Sequence, residues 1–213
     1  MLWFVWVALL LCAPVTSQDE YSFGGTPAVP SAPQDYQAIT PGQRVDWFVR
    51  SLIGPQSLVA GAISAGWGTA FNRPPEYGPH WDGFGQRYGM RLTGLSVGNA
   101  TEAWLGSAWG EDPRYFRVGH GSFGRQAGNV FDLTFRAYQR DGRRHVAYAR
   151  LIGIFGNNFL SNTWRVSSEA DWQHALIRSG EGIGACAASN ALLQFVPIIW
   201  NKIHHRAVAD PRP

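Results

Sequence analysis

The sequence predicts a mainly α fold, a compact bundle of about six Gly/Ala-rich helices. Three observations predict it. Six segments carry helical periodicity between Pro, Gly and Asp breaks, and glycine and alanine recur at three- and four-residue spacing inside them. No regular succession of strands and helices is present that would build a sheet. The 213 residues suit one domain of ordinary size.

The chain opens with MLWFVWVALLLCAPVTSQ, which has no charged side chain and an apolar run from Leu2 to Ala13. That run is short for a bilayer span and ends in small residues before Gln18, the pattern of a signal peptide over 1–17. Its n-region lacks Lys and Arg, and Cys12 opens a lipoprotein alternative beside retention as an anchor. Bulky Leu11 stands where a lipid-attachment site has a small residue. Residues 18–41 are rich in Pro, Ser, Gly and acid, without periodicity, and predict a disordered linker. The helical domain is then 42–206, with 207–213 as a tail.

Within the domain the expected helices are 42–53, 56–71, 82–109, 123–140, 146–163 and 168–204. Pro41 and Pro55 mark starts, and Asn72-Arg73-Pro74-Pro75 ends the second. Asp112-Pro113 separates the third from the fourth, Asp141-Gly142 turns the fourth into the fifth, and Ser167-Ser168-Glu169 resembles a cap before the sixth. Residues 114–124 read as loop.

Glycine inside a helix costs up to about 1 kcal/mol relative to alanine. This chain carries it at 61, 68, 85, 89, 94, 98, 180 and 184 within the expected helices. Close approach of neighbouring helices is the usual compensation. Gly85 and Gly89 lie nearly opposite Gly94 and Gly98 at 100° per residue, so the third helix is expected to have neighbours on both sides. Asn99, Asn129, Asn157 and Asn190 put one amide on each of four helices, either as interhelical hydrogen bonds or as the lining of a ligand cavity. Residues 51–72 and 182–201 contain no charge, but Pro, Gln, Asn and Ser keep them below the hydropathy of a standard span. Cys186, among glycines and alanines, reads as a buried small residue.

Charge is concentrated. Residues 114–150 hold eight arginines against Asp132 and Asp141, and Lys202 is the sole lysine of the chain. In an exported protein nucleic acid is not the counterpart. The expected partner is an anionic envelope lipid or lipopolysaccharide, or an envelope protein, met by Arg114, Arg117, Arg125, Arg140, Arg143 and Arg144. The alternative is that these arginines only solvate helix faces.

Catalytic signals are sparse. Gly94-Leu95-Ser96-Val97-Gly98 spells G-x-S-x-G, and Asp171 with His174 or His204 could complete a triad with Ser96. A nucleophile elbow needs a covered strand before the serine, and Arg87 and Arg91 stand where it would lie. His80 and Asp82, close to Glu76, offer a fragment of a metal or acid/base site, although Asp82 equally suits the start of a helix. No metal and no cofactor are expected. Glu111-Asp112-Pro113-Arg114-Tyr115-Phe116-Arg117 and PPEYGPHWDGFG are the loops where a working surface is expected.

RPPEYGPHWDGFGQRYGMRLTG, then WGEDPRYFR, then GNNFLSNTWR, in that order over most of 42–204, resemble a family of exported bacterial proteins without an established activity. The resemblance implies export to the periplasm or outer envelope and one domain, and assigns no catalytic residue. The function expected is that of an exported envelope protein of structural or interaction type, associated with the membrane through arginines and aromatics. The alternatives are a serine hydrolase using Ser96 and a carrier of a small amphiphile.

Overall fold

The computed structural model describes residues 36–119 and 121–209, with side chains to residue 198. The expected signal peptide, the linker to residue 35 and the end of the tail lie outside the described residues. Six α-helices are described: α1 (Pro41–Ile53), α2 (Pro55–Ala70), α3 (Trp81–Trp109), α4 (Phe123–Phe135), α5 (Tyr148–Leu160) and α6 (Trp172–Ala209). A two-stranded antiparallel hairpin, β1 (Arg136–Tyr138) with β2 (Arg144–Val146), joins α4 to α5. The molecule is a mainly α bundle, as the sequence predicts.

Local chemistry sets the ends. Thr40 and Gln43 form a reciprocal capping box at the start of α1, with Pro41 at its first position. Pro55 opens α2 directly after Gly54, so α1 and α2 run nearly end to end. Their partners on α3 fall in reverse order. Arg44 lies over Gly106, Asn99 Nδ2 donates to Ser51 Oγ, and Gly61 lies against Tyr88 and Arg91, with Gly68 against Arg87. The α1–α2 pair thus lines α3 antiparallel along its length.

The second flank of α3 is α5, the most extensively packed pair in the bundle. A Cβ built on Gly153 would stand 2.7 Å from the Gly98 carbonyl oxygen, and one on Gly94 would meet the Asn157 amide at 3.4 Å. Here the glycines serve the close approach that their spacing predicts. α6 repeats the arrangement: its first half packs on α5, where Gly182 meets Ile154, and its second half on α4, where Asn190 Nδ2 donates to Thr134 Oγ1. The buried apolar cluster is small (Tyr115, Val130, Leu133, Tyr138) and sits where α4, the hairpin and α6 meet.

Several expectations are corrected. α4 ends at Phe135 instead of continuing to 140, because Asp141-Gly142 closes a hairpin and not a helix–helix turn. Gly142 has φ 76°, the Gly142 N–H donates to Gln139 O, and the Arg143 N–H donates to Asp141 Oδ1. The cap of α6 is Asp171, whose Oδ1 accepts from the His174 N–H, and not Ser167–Glu169, which forms a 3-10 turn. The end of the expected linker touches the domain: Tyr36 stacks on Tyr138 at 5.0 Å, Gln37 O accepts from Arg114, and Thr40 and Pro41 open α1. Gly85, Gly89, Gly180 and Gly184 meet nothing within 4 Å, so these glycines have no close neighbour among the described residues, whereas further along α6 Ala188 is buried and Ala191 packs on the apolar cluster.

Candidate functional site

The interior carries the charges. At the end of the bundle formed by the hairpin, the C-terminus of α3 and the N-terminus of α5, the Asp112 carboxylate is fully buried. It takes three contacts from the Arg114 guanidinium, the shortest 2.7 Å. Beside it Arg150 Nε donates to Glu102 Oε1 at 3.0 Å, while its other nitrogens donate to the carbonyls of Leu133, Thr134 and Pro113. Arg44 donates to Glu111 O at 2.7 Å. Burial raises the Glu102 carboxyl above the usual carboxylate range, against the pull of Arg150, and burial also raises that of Glu111. Tyr115, its phenol pushed up to about 12 by burial, donates to Gln194 Oε1 and accepts from Asn129. At the opposite end Arg87 clips the 72–80 loop by donating to the carbonyls of Arg73, Pro74 and Gly78, each at 2.8 Å.

These contacts correct the expected arginine surface. Arg114 is buried against Asp112. Arg144 is held by Asp132 at 2.7 Å and by the Tyr138 hydroxyl, and Arg117 is half-buried. Arg125, Arg140 and Arg143 are exposed, and of these Arg140 donates to Ser107 O at 2.7 Å. Three of the six expected surface arginines therefore face outward.

The exterior carries the apolar residues. The exposed positions of α2 include Leu58, Val59, Ala62 and Ile63, and those of α5 are Tyr148, Ile152, Phe155, Gly156, Phe159 and Leu160. None is charged. On α3 the charged residues after the first turn are Arg87, Arg91 and Glu102, none of them exposed. Its outward face from Gly85 to Trp109 is uncharged and includes Trp104, 72% exposed. Trp81 and Phe123, 84% and 74% exposed, and Trp172 add aromatic surface at helix starts. Exposed charge instead gathers on loops and helix ends: Arg73, Glu76 and Asp82 on one end, Arg136, Arg140, Asp141 and Arg143 on the other. Monomeric proteins do not usually expose contiguous apolar patches beyond a few hundred Å².

The catalytic candidates do not assemble. Ser96 lies inside continuous α3, where its hydroxyl donates to Leu92 O at 2.8 Å, so the strand–turn–helix of a nucleophile elbow is absent at this serine. Ser96→Ala is expected to shift unfolding free energy by no more than about 0.5 kcal/mol, measured by urea denaturation. His80 is the residue before α3 and Asp82 lies in its first turn, both exposed. Among the described residues no group of three or more His, Cys, Asp or Glu is placed to hold a metal ion. The four asparagines sit at separate contacts: Asn99 at α1–α3, Asn157 at α3–α5, Asn129 on the 115–116 loop, and Asn190 at α4–α6. They join helices and do not line one cavity.

Comparison of the chain with protein-family models, with curated proteins and with solved structures gives no match. Among the described residues no helix is long and apolar enough to cross a membrane.

Proposed function

We propose that this protein is an exported envelope protein of structural or interaction type that seats on membrane lipid through the uncharged outward faces of α2 and α5. The observation that carries this reading is the inversion of the usual pattern. Arg44, Arg87, Arg114, Arg150, Glu111 and Asp112 are buried, while Ile63, Trp104, Phe155 and Phe159 are exposed. Covering a large apolar side chain contributes about 1.5–3 kcal/mol, so a surface with this many exposed ones favours an apolar environment. Tryptophan and tyrosine suit the boundary between headgroups and acyl chains, which supports lipid as that environment. The exposed arginines Arg125, Arg140 and Arg143 add attraction to anionic headgroups, a term that salt screens.

Fractionation of the native cell envelope tests the reading. Retention of the protein through a 1 M NaCl wash, with release by detergent, is the expected result. Release by salt alone would replace the apolar seat with an arginine-led one. Recovery as a soluble oligomer would mean that a second copy covers these faces, for which the open lane of Gly85, Gly89, Thr93 and Ala100 on α3 is the suitable surface.

A further inference from the structure

We propose that the cleft between the C-terminus of α3, the hairpin and the N-terminus of α5 binds a small organic ammonium ion. The cleft measures about 400 Å³ and is open to solvent at the charged end of the bundle. It brings together two aromatic rings, Trp109 and Tyr148, two carboxylates, Glu111 and Asp141, and the ring of His145.

Each component fits a cation. The described ion pairs put Arg114 on Asp112 and Arg150 on Glu102; the Glu111 carboxylate accepts through Oε2 from the Ala149 N–H at 2.9 Å at the start of α5, with Arg150 also drawing its carboxyl down. Glu111 is 4% exposed, so its negative charge lies at the inner side of the cleft. Asp141 is exposed, and Arg143 reaches it at 3.9 Å with its own side chain 82% exposed, so it screens that carboxylate weakly. Aromatic faces attract cations through their quadrupole, and a carboxylate beside them selects charge sign. The two carboxylates disfavour an anion. A metal ion would require at least three close ligands of the right kind, and no such group is found among the described residues. A compact, weakly hydrated ammonium with methyl or methylene groups uses both the rings and the acid, and the volume falls within the range of small-molecule sites.

The test is calorimetric titration of the purified full chain at pH 8 with choline chloride and with tetramethylammonium chloride, against NaCl at matched ionic strength. Saturable one-to-one binding of both organic cations is expected. Asp141→Asn and Tyr148→Leu should each weaken it at least fivefold, and Glu111→Gln, which keeps an acceptor for the Ala149 N–H, at least tenfold. Trp172→Leu, at the other end of the bundle, should leave it unchanged. If Glu111→Gln fails to fold, the two exposed positions still decide. Absence of saturable heat, or equal affinity in Asp141→Asn, Tyr148→Leu and the parent chain, would overturn the assignment.

Discussion

Replacing Arg150 with alanine is expected to cost the fold about 3–5 kcal/mol, the range found when one partner of a buried ion pair is removed. The size follows from what is left behind. Arg150 is 6% exposed and its guanidinium serves Glu102 together with the carbonyls of Leu133, Thr134 and Pro113, so one substitution strands a carboxylate and three acceptors. It also removes the polar link of α5 to Glu102 on α3 and to the end of α4. Urea denaturation of the variant and the parent chain measures the effect. The pH dependence carries a sign. Burial already holds the Glu102 carboxyl above the usual carboxylate range while Arg150 draws it down, so loss of Arg150 raises it further. A raised carboxyl in the folded state favours the protonated form. The penalty is absent below the ordinary carboxylate range and grows as pH rises through the raised value. The loss in Arg150→Ala should therefore be smaller at pH 4 than at pH 8. A control separates charge burial from packing: Arg150→Met combined with Glu102→Leu should recover much of the loss, since an apolar pair of similar volume leaves no buried charge. A single-variant cost below about 1 kcal/mol would mean that water, and not Arg150, balances Glu102.

The same residues show what a linear sequence displays and what it conceals. The six helices were legible because their ends are marked by local chemistry, Pro41, Pro55 and the Asn72–Pro75 break among them. The hairpin was concealed because Arg136–Tyr138 is too short to display a period, although Asp141-Gly142 between the two short strands was a usable signal. The arginines misled for a different reason. A run dense in one charge looks like a solvated surface, but the carboxylates that draw Arg150 inward stand elsewhere, with Glu102 48 residues away. The missed signal was on the acid side. Glu102 is an isolated acid in uncharged sequence and Glu111-Asp112 an acidic pair just after the end of α3, and such acids need partners when the segment is buried. Ser96 illustrates the reverse, since five residues can spell a catalytic turn while the helix around them dictates an ordinary intrahelical hydrogen bond. The cleft at the hairpin end draws Trp109 from the end of α3, Glu111 from the segment after it, Asp141 and His145 from the hairpin, and Tyr148 from α5. No spacing rule joins those positions; the antiparallel docking of α5 on α3 and the bridge between Asp112 and Tyr138 do.

Glycine substitutions on two helices should have opposite signs, and the contrast measures which lanes are occupied. Gly153→Ala places a methyl 2.7 Å from the Gly98 carbonyl oxygen, a backbone atom that cannot rotate away, so α3 and α5 must separate. The expected cost is about 1–3 kcal/mol, that of overpacking, beyond which Gly98→Leu should prevent the bundle from forming. Gly89→Ala puts its methyl into open space on the outer face of α3, and the higher helix propensity of alanine should stabilise the monomer by up to about 1 kcal/mol. Thermal unfolding of the purified protein reads both. A gain in Gly153→Ala would show that the helices do not approach as closely as their carbonyls indicate. Gly89→Ala is the more informative for function, because an exposed glycine in a 29-residue helix forfeits propensity unless something outside the monomer needs the smooth surface. If the variant is more stable as a monomer yet retained less firmly in the envelope, the lane at Gly85 and Gly89 serves association. If stability rises and envelope retention is unchanged, the proposed seat rests on α2 and α5, whose outward residues include the large apolar Leu58, Val59, Ile63, Ile152, Phe155 and Phe159.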